Sequence, residues 1–114
     1  KLISDFVVKT QSVMVLSIER LKCSHQSITY LFQALPFTRV VELNVSGISV
    51  NYFSIDALCK VIDSNHRLDL RVLHLRNTRL NDYSALKLMT QIIERKSKVK
   101  YLSMSMNTLL GFKF

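Results

Sequence analysis

The 114-residue chain has no tryptophan, one proline, two glycines and two cysteines. Each scarcity removes a class of protein. Gly47 and Gly111 are the only glycines, so no glycine-rich loop can wrap phosphate in backbone amides. A secreted disulfide scaffold would be denser in cysteine. Cys23 and Cys59 are therefore read as reduced, semi-buried side chains of an intracellular protein. The sequon Asn44-Val45-Ser46 points the other way, but it falls inside an expected strand, where a glycan attaches awkwardly. Long hydrophobic runs are missing too: none reaches the roughly 18 residues that cross a bilayer. The opening "KLISDFVVKTQ" lacks a small-residue cleavage site and reads as no signal peptide. Residue 1 is not Met, and the expectation is a piece of a longer chain or complex.

Acidic residues are the other shortage. Sixteen Lys and Arg face eight Asp and Glu. The excess is uneven: residues 58–114 hold eleven basic and four acidic side chains, residues 1–57 five and four. With nearly half its residues apolar, the chain is globular rather than disordered, and long enough for one core.

What is present is a recurring pattern. "LRVLHLRNTRL" from Leu70 has counterparts in "VMVLSIERLKC" from Val13, "VVELNVSGISV" from Val40 and "VKYLSMSMNTL" from Val99. The first, fourth and sixth places are apolar in every copy: Val13, Leu16, Ile18; Val40, Leu43, Val45; Leu70, Leu73, Leu75; Val99, Leu102, Met104. The starts lie 27, 30 and 29 residues apart, a period typical of stacked repeats. A second column keeps register with the first. Ile28, Leu31, Phe32, Leu35, then Ile55, Leu58, Cys59, Ile62, then Ala85, Leu88, Met89, Ile92 recur at i, i+3, i+4, i+7, one face of a helix. Ahead of them stand Ser24, Asn51 and Asn81, and three places later Ser27, Ser54 and Ser84, whose side-chain oxygens suit a helix start. Each unit is thus a short strand, a turn, a helix and a return loop. Pro36 ends the first helix. The predicted boundaries are a tail of a preceding unit at 1–12, units at 13–39, 40–69 and 70–98, and a partial or terminal unit at 99–114. In the tail, Leu2, Ile3 and Phe6 take helix columns, and "LLGFKF" either covers the last core or marks a cut.

These units resemble leucine-rich repeats of the ribonuclease-inhibitor-like class, over residues 13–109. The family pattern is L-x-x-L-x-L-x-x-N/C-x-L. The ninth place departs from it: Leu21, Ile48 and Thr78 replace Asn or Cys, and only Asn107 matches. The eleventh reads Cys23, Val50, Leu80 and Leu109. The resemblance implies an α/β solenoid, with parallel strands on the concave face and helices on the convex face. It implies a ninth side chain that bonds loop backbone between units, so the apolar ninth places predict an irregular array. It also implies a noncatalytic module binding other macromolecules along the strands.

On that face the third-place row is Val15, Glu42, Val72 and Tyr101. The fifth is Ser17, Asn44, His74 and Ser103, and the seventh is Glu19, Ser46, Arg76 and Ser105. These twelve are the expected partner contacts, because a rigid sheet binds a large partner at little ordering cost. Val15 and Val72 are apolar where exposure is expected, and Tyr101 offers contact area at low entropy cost. Met14, Val41 and Val72 suggest that the sheet is covered from outside. Arg71, Arg76, Arg79 and Lys100, on or beside adjacent strands, are the candidate contacts to an anion, RNA or an acidic protein surface. Arg95, Lys96 and Lys98 close the third helix, where its dipole favours cations. His25, His66 and His74 lie far apart in this frame, no second pair joins Cys23 and His25 in a zinc site, and no carboxylate is expected beside His74. Neither enzyme activity, metal nor cofactor is expected. The first reading is a protein-binding segment of an intracellular scaffold, adaptor or substrate-recognition subunit, cytoplasmic or nuclear. The second is a structural component of a ribonucleoprotein. A receptor ectodomain, the third, needs disulfide-bonded end caps.

Overall fold

The computed structural model describes residues 14–20, 22–63 and 68–107. The expectations for residues 1–13, Leu21, His66 and 108–114 lie outside the described residues. Among the described residues the chain is mixed α/β, with four short strands, three α-helices and a four-stranded parallel sheet. The strands are β1 (Val15–Ser17), β2 (Glu42–Asn44), β3 (Val72–His74) and β4 (Tyr101–Ser103). The helices between them are α1 (His25–Ala34), α2 (Tyr52–Val61) and α3 (Asp82–Glu94).

Alternation explains the strands. Leu16, Leu43 and Leu73, the middle residues of β1, β2 and β3, are buried, while their neighbours are half-buried or exposed. Val45 and Leu75 continue the inward set just past their strands and are fully buried. Burying one such side chain stabilises the fold by roughly 1.5–3 kcal/mol. The strands pair in chain order, with Val15 opposite Glu42, Glu42 opposite Val72, and Val72 opposite Tyr101. Past the strands the ladder runs on. Ile18, Val45 and Leu75 amides donate to Asn44, His74 and Ser103 carbonyls at 2.7–3.1 Å. Arg20, Gly47 and Asn77 amides then donate to Ser46, Arg76 and Ser105 carbonyls at 2.9–3.1 Å.

The helix starts fall where the Ser/Asn column puts them. Ser24, Asn51 and Asn81 are the N-caps, and each side chain accepts the amide of the serine three places on. Asn51 and Ser54 close a reciprocal pair, Ser54 Oγ accepting the Asn51 amide at 2.9 Å. The apolar stripes of α1 and α2 are buried throughout. The α3 stripe is buried at Ala85 and Leu88 but only half-buried at Met89 and Ile92. Among the described residues α2 packs against both other helices, α1 against α2 and the 3-10 turn that follows it, and α3 against α2. Leu35 completes the first stripe from a 3-10 turn, Leu35–Phe37, into which Pro36 tightens the end of α1. No helix among the described residues is long and apolar enough to cross a membrane.

The ninth place behaves as its residues dictate. Ile48 is buried, and backbone bonds take the place of a ninth-place side chain: the Ile48 amide reaches Val45 O at 3.1 Å, and the Val50 amide reaches Thr78 O at 3.0 Å. Thr78 turns its hydroxyl onto Leu75 O at 2.9 Å. Asn107 does what an asparagine can: its Oδ1 accepts the Thr78 and Leu80 amides at 2.8 and 3.0 Å, and its Nδ2 donates to Leu75 O and Met104 O at 2.9 and 2.7 Å.

Candidate functional site

The pairing register brings the outward residues into rows. Val15, Glu42, Val72 and Tyr101 lie side by side, as do Ser17, Asn44, His74 and Ser103. Val15 and Tyr101 are 61% and 55% exposed, so no described segment covers the two ends of the third-place row. Val72 between them is half-buried.

Side chains across the rows interlock. Asn44 Nδ2 donates to Glu19 Oε1 at 2.7 Å, and Asn44 Oδ1 accepts the Ser46 amide at 3.0 Å. Asn44 is the last residue of β2, not an interior one, and both ends of its amide are engaged. Arg76 Nε donates to Ser105 Oγ at 2.9 Å, and the Arg76 amide to Ser46 Oγ at 3.2 Å. Glu19, Asn44, Ser46, His74 and Arg76 share the rim of a shallow depression of about 300 Å³ with Arg20 and Met106. Both charge signs are represented there.

His74 departs from the expectation that it stands without a carboxylate. Glu42 Oε2 lies 3.4 Å from His74 Nε2, and the Tyr101 ring is 5.6 Å from the imidazole, centroid to centroid, at 58°. Glu42 faces Val72 directly, so it meets His74 on the diagonal, a contact that long side chains make and that row counting misses. The trio can hold a partner's hydrogen-bonding group. Among the described residues, no three His, Cys, Asp or Glu side chains gather where a metal could be held.

The four expected anion contacts do not form one group. Arg71 and Lys100 sit at the N-terminal ends of β3 and β4. Arg76 lies five residues further along, roughly 16 Å away in extended chain, and Arg79 lies beyond it in the loop. Arg71 is itself paired with Asp69, whose oxygens stand 3.1 Å from its Nε and Nη2. Lys96 and Lys98, assigned from sequence to the end of α3, instead join Arg71 and Lys100 around a depression of about 620 Å³. α3 ends at Glu94, with Arg95 as its cap, so the chain has already turned when it reaches Lys96.

Sequence reasoning missed an aromatic cluster at the helix starts. The Tyr52 ring lies 5.8 Å from Phe53 and 5.5 Å from Tyr83, and Lys87 Nζ stands 5.5 Å over Tyr52. Phe53 and Tyr83 are 73% and 67% exposed. The signal was available: both lie two places after the N-cap asparagines. Lys87 also reaches Asp56 Oδ1 at 3.2 Å, and Lys60 reaches Asp56 Oδ2 at 3.2 Å, tying α2 to α3. Burial works against the Asp56 carboxylate, but hydrogen bonds from Lys60 and Lys87 outweigh it and hold its pKa below the usual value. The hydrogen bond to Asp56 in turn raises Lys87. Both cysteines are free thiols. Burial pushes Cys59 up to about 11 and also raises half-buried Cys23, so neither is a ready nucleophile.

Compared with protein-family models, curated proteins and solved structures, the chain matches none.

Proposed function

We propose that the chain is a leucine-rich-repeat segment of an intracellular scaffold, adaptor or substrate-recognition subunit, and that its outward strand rows hold another protein. The strands would line the concave face of a solenoid and the helices its convex face. The observation that carries this reading is the unbroken parallel register from β1 to β4, which turns two sets of outward sequence positions into adjacent rows on one face. The N-caps at the same place in three successive units support it. Such a face is rigid before it binds, so little entropy is lost on docking. Tyr101 is its exposed aromatic anchor, and the Glu42–His74 pair and Arg76 supply polar contacts. The reading assigns no catalytic group.

Site-specific photocrosslinking tests it. A photoreactive residue at position 101 should yield protein adducts in cells, and the same residue at Thr90, exposed on α3, should not. Adducts from position 90 alone would place the partner on the helices and end the reading. A second reading, a ribonucleoprotein component, is favoured by the gathering of Lys96 and Lys98 beside Arg71 and Lys100.

A further inference from the structure

We propose that Arg71, Lys96, Lys98 and Lys100 form one surface for the sugar–phosphate backbone of a nucleic acid, at the N-terminal ends of β3 and β4. The inference rests on the ribonucleoprotein reading and replaces the residues that sequence spacing had grouped.

Local structure builds the surface. Ser97 and Val99 are buried, and Lys98 and Lys100 alternate with them into solvent. Lys96 enters by a different route. It takes φ +53° in the turn that ends α3, where the Ser97 amide bonds Ile92 O at 3.1 Å. That left-handed place normally goes to glycine, so a lysine there keeps a cation in the depression at a conformational cost. Asp69 offsets part of the Arg71 charge, and the three lysines carry the rest.

The charge of the lining favours a polyanion. Among the described residues it holds Arg71, Lys96, Lys98 and Lys100 against one carboxylate, Asp69, with Ser97. A protein interface needs apolar or aromatic anchors at its centre; an anionic lipid surface is drawn to the same cations, and vesicle competition separates it from a nucleic acid. A phosphate backbone needs only cations, and contacts of this kind position without reading sequence. Among the described residues the lining has no stacking aromatic, so recognition of bases is not part of the proposal.

Fluorescence anisotropy of a labelled oligouridylate against the 114-residue chain, over about 50–200 mM salt, is the test. With three to four phosphates engaged at about 0.7 each, log K should fall against log salt with a slope of about −2 to −3. Lys98→Gln with Lys100→Gln should flatten the slope by about 1.4, and Arg76→Gln and Arg79→Gln should leave it unchanged. Lys96→Gly should weaken binding without lowering Tm, which separates a ligand contact from a purely structural lysine. RNA affinity that ignores these lysines would overturn the surface while leaving the ribonucleoprotein reading; no salt-sensitive affinity at all would remove both. Equal or stronger competition by polyglutamate or by anionic phospholipid vesicles would show that another polyanion is the ligand, and would also overturn it.

Discussion

Gly47 sits at φ +83°, and it is the eighth residue of its unit. The eighth residues of the other three units, Arg20, Asn77 and Met106, take φ +59°, +54° and +61°. The left-handed region is where the chain turns out of the sheet. In the first three units the amide of that same residue bonds the next strand's loop, which locks the turn. Gly47 and Asn77 belong to the residue types that tolerate this region, so half of this column was legible in the sequence. Arg20 and Met106 carry no such signal; at Arg20 the bond to the Ser46 carbonyl of the next loop holds the turn. Gly47 has a second constraint. A Cβ there would stand 2.8 Å from Arg20 Cγ and 3.2 Å from Arg20 Cα. Gly47→Ala should therefore destabilise by about 1–2 kcal/mol in urea unfolding, from strain and clash together. In an Arg20→Gly background, which removes the Cγ, the cost should shrink by about 0.5 kcal/mol or more. Equal costs in both backgrounds would mean that the Arg20 contact contributes nothing.

At the scale of elements, the helices were the most legible part. An apolar stripe and an N-cap column are both local signals, and α1, α2 and α3 begin where those columns put them. The three-residue strands were legible as positions but not as lengths, because tertiary pairing sets where a strand stops. The outward rows followed from register. What the sequence could not show was lateral reach: Glu42 crossing to His74, or Lys96 and Lys98 turning toward Lys100, depends on turns no periodicity describes. The joint between the last two units illustrates the energetic side. Asn107 is buried and satisfies two amides and two carbonyls of the loops it joins. Truncating it removes the side-chain partner of the Thr78 and Leu80 amides and of Met104 O, Leu75 O alone keeping the Thr78 hydroxyl, whereas truncating a cap orphans one amide at a helix end that water can reach. Asn107→Ala should cost roughly 3–5 kcal/mol and Asn81→Ala about 1 kcal/mol in the same denaturant titration. A smaller loss at Asn107 than at Asn81 would show that the loop joint does not hold β4 in place.

For the whole molecule, the charge balance of +8 sets a background of self-repulsion, and two groups on α2 set its pH limits. Asp56 is held below its usual pKa by Lys60 and Lys87 against the opposing effect of burial. Its stabilising contribution is complete above the unfolded value, near 3.8, and is lost as pH falls through the lower folded value. Three residues on, Cys59 acts in the opposite direction. Burial raises its thiol from 9.0 to about 11, so below pH 9 both states hold the proton and nothing is lost. Above 9 the unfolded thiol ionises first, and stability falls until the folded thiol follows near 11. Two units at about 1.4 kcal/mol each bound the loss at roughly 3 kcal/mol. Melting temperature against pH should thus be level with respect to these two groups from about 5 to 9, with an acid limb and an alkaline limb. Cys59→Ala should lower the plateau by removing buried sulfur, yet flatten the alkaline limb; Asp56→Asn should flatten the acid limb and, because its hydrogen bond also raises Lys87, soften the alkaline limb as well. An alkaline limb of unchanged steepness in the Cys59→Ala variant would show that lysine deprotonation, rather than the buried thiol, limits the fold at high pH.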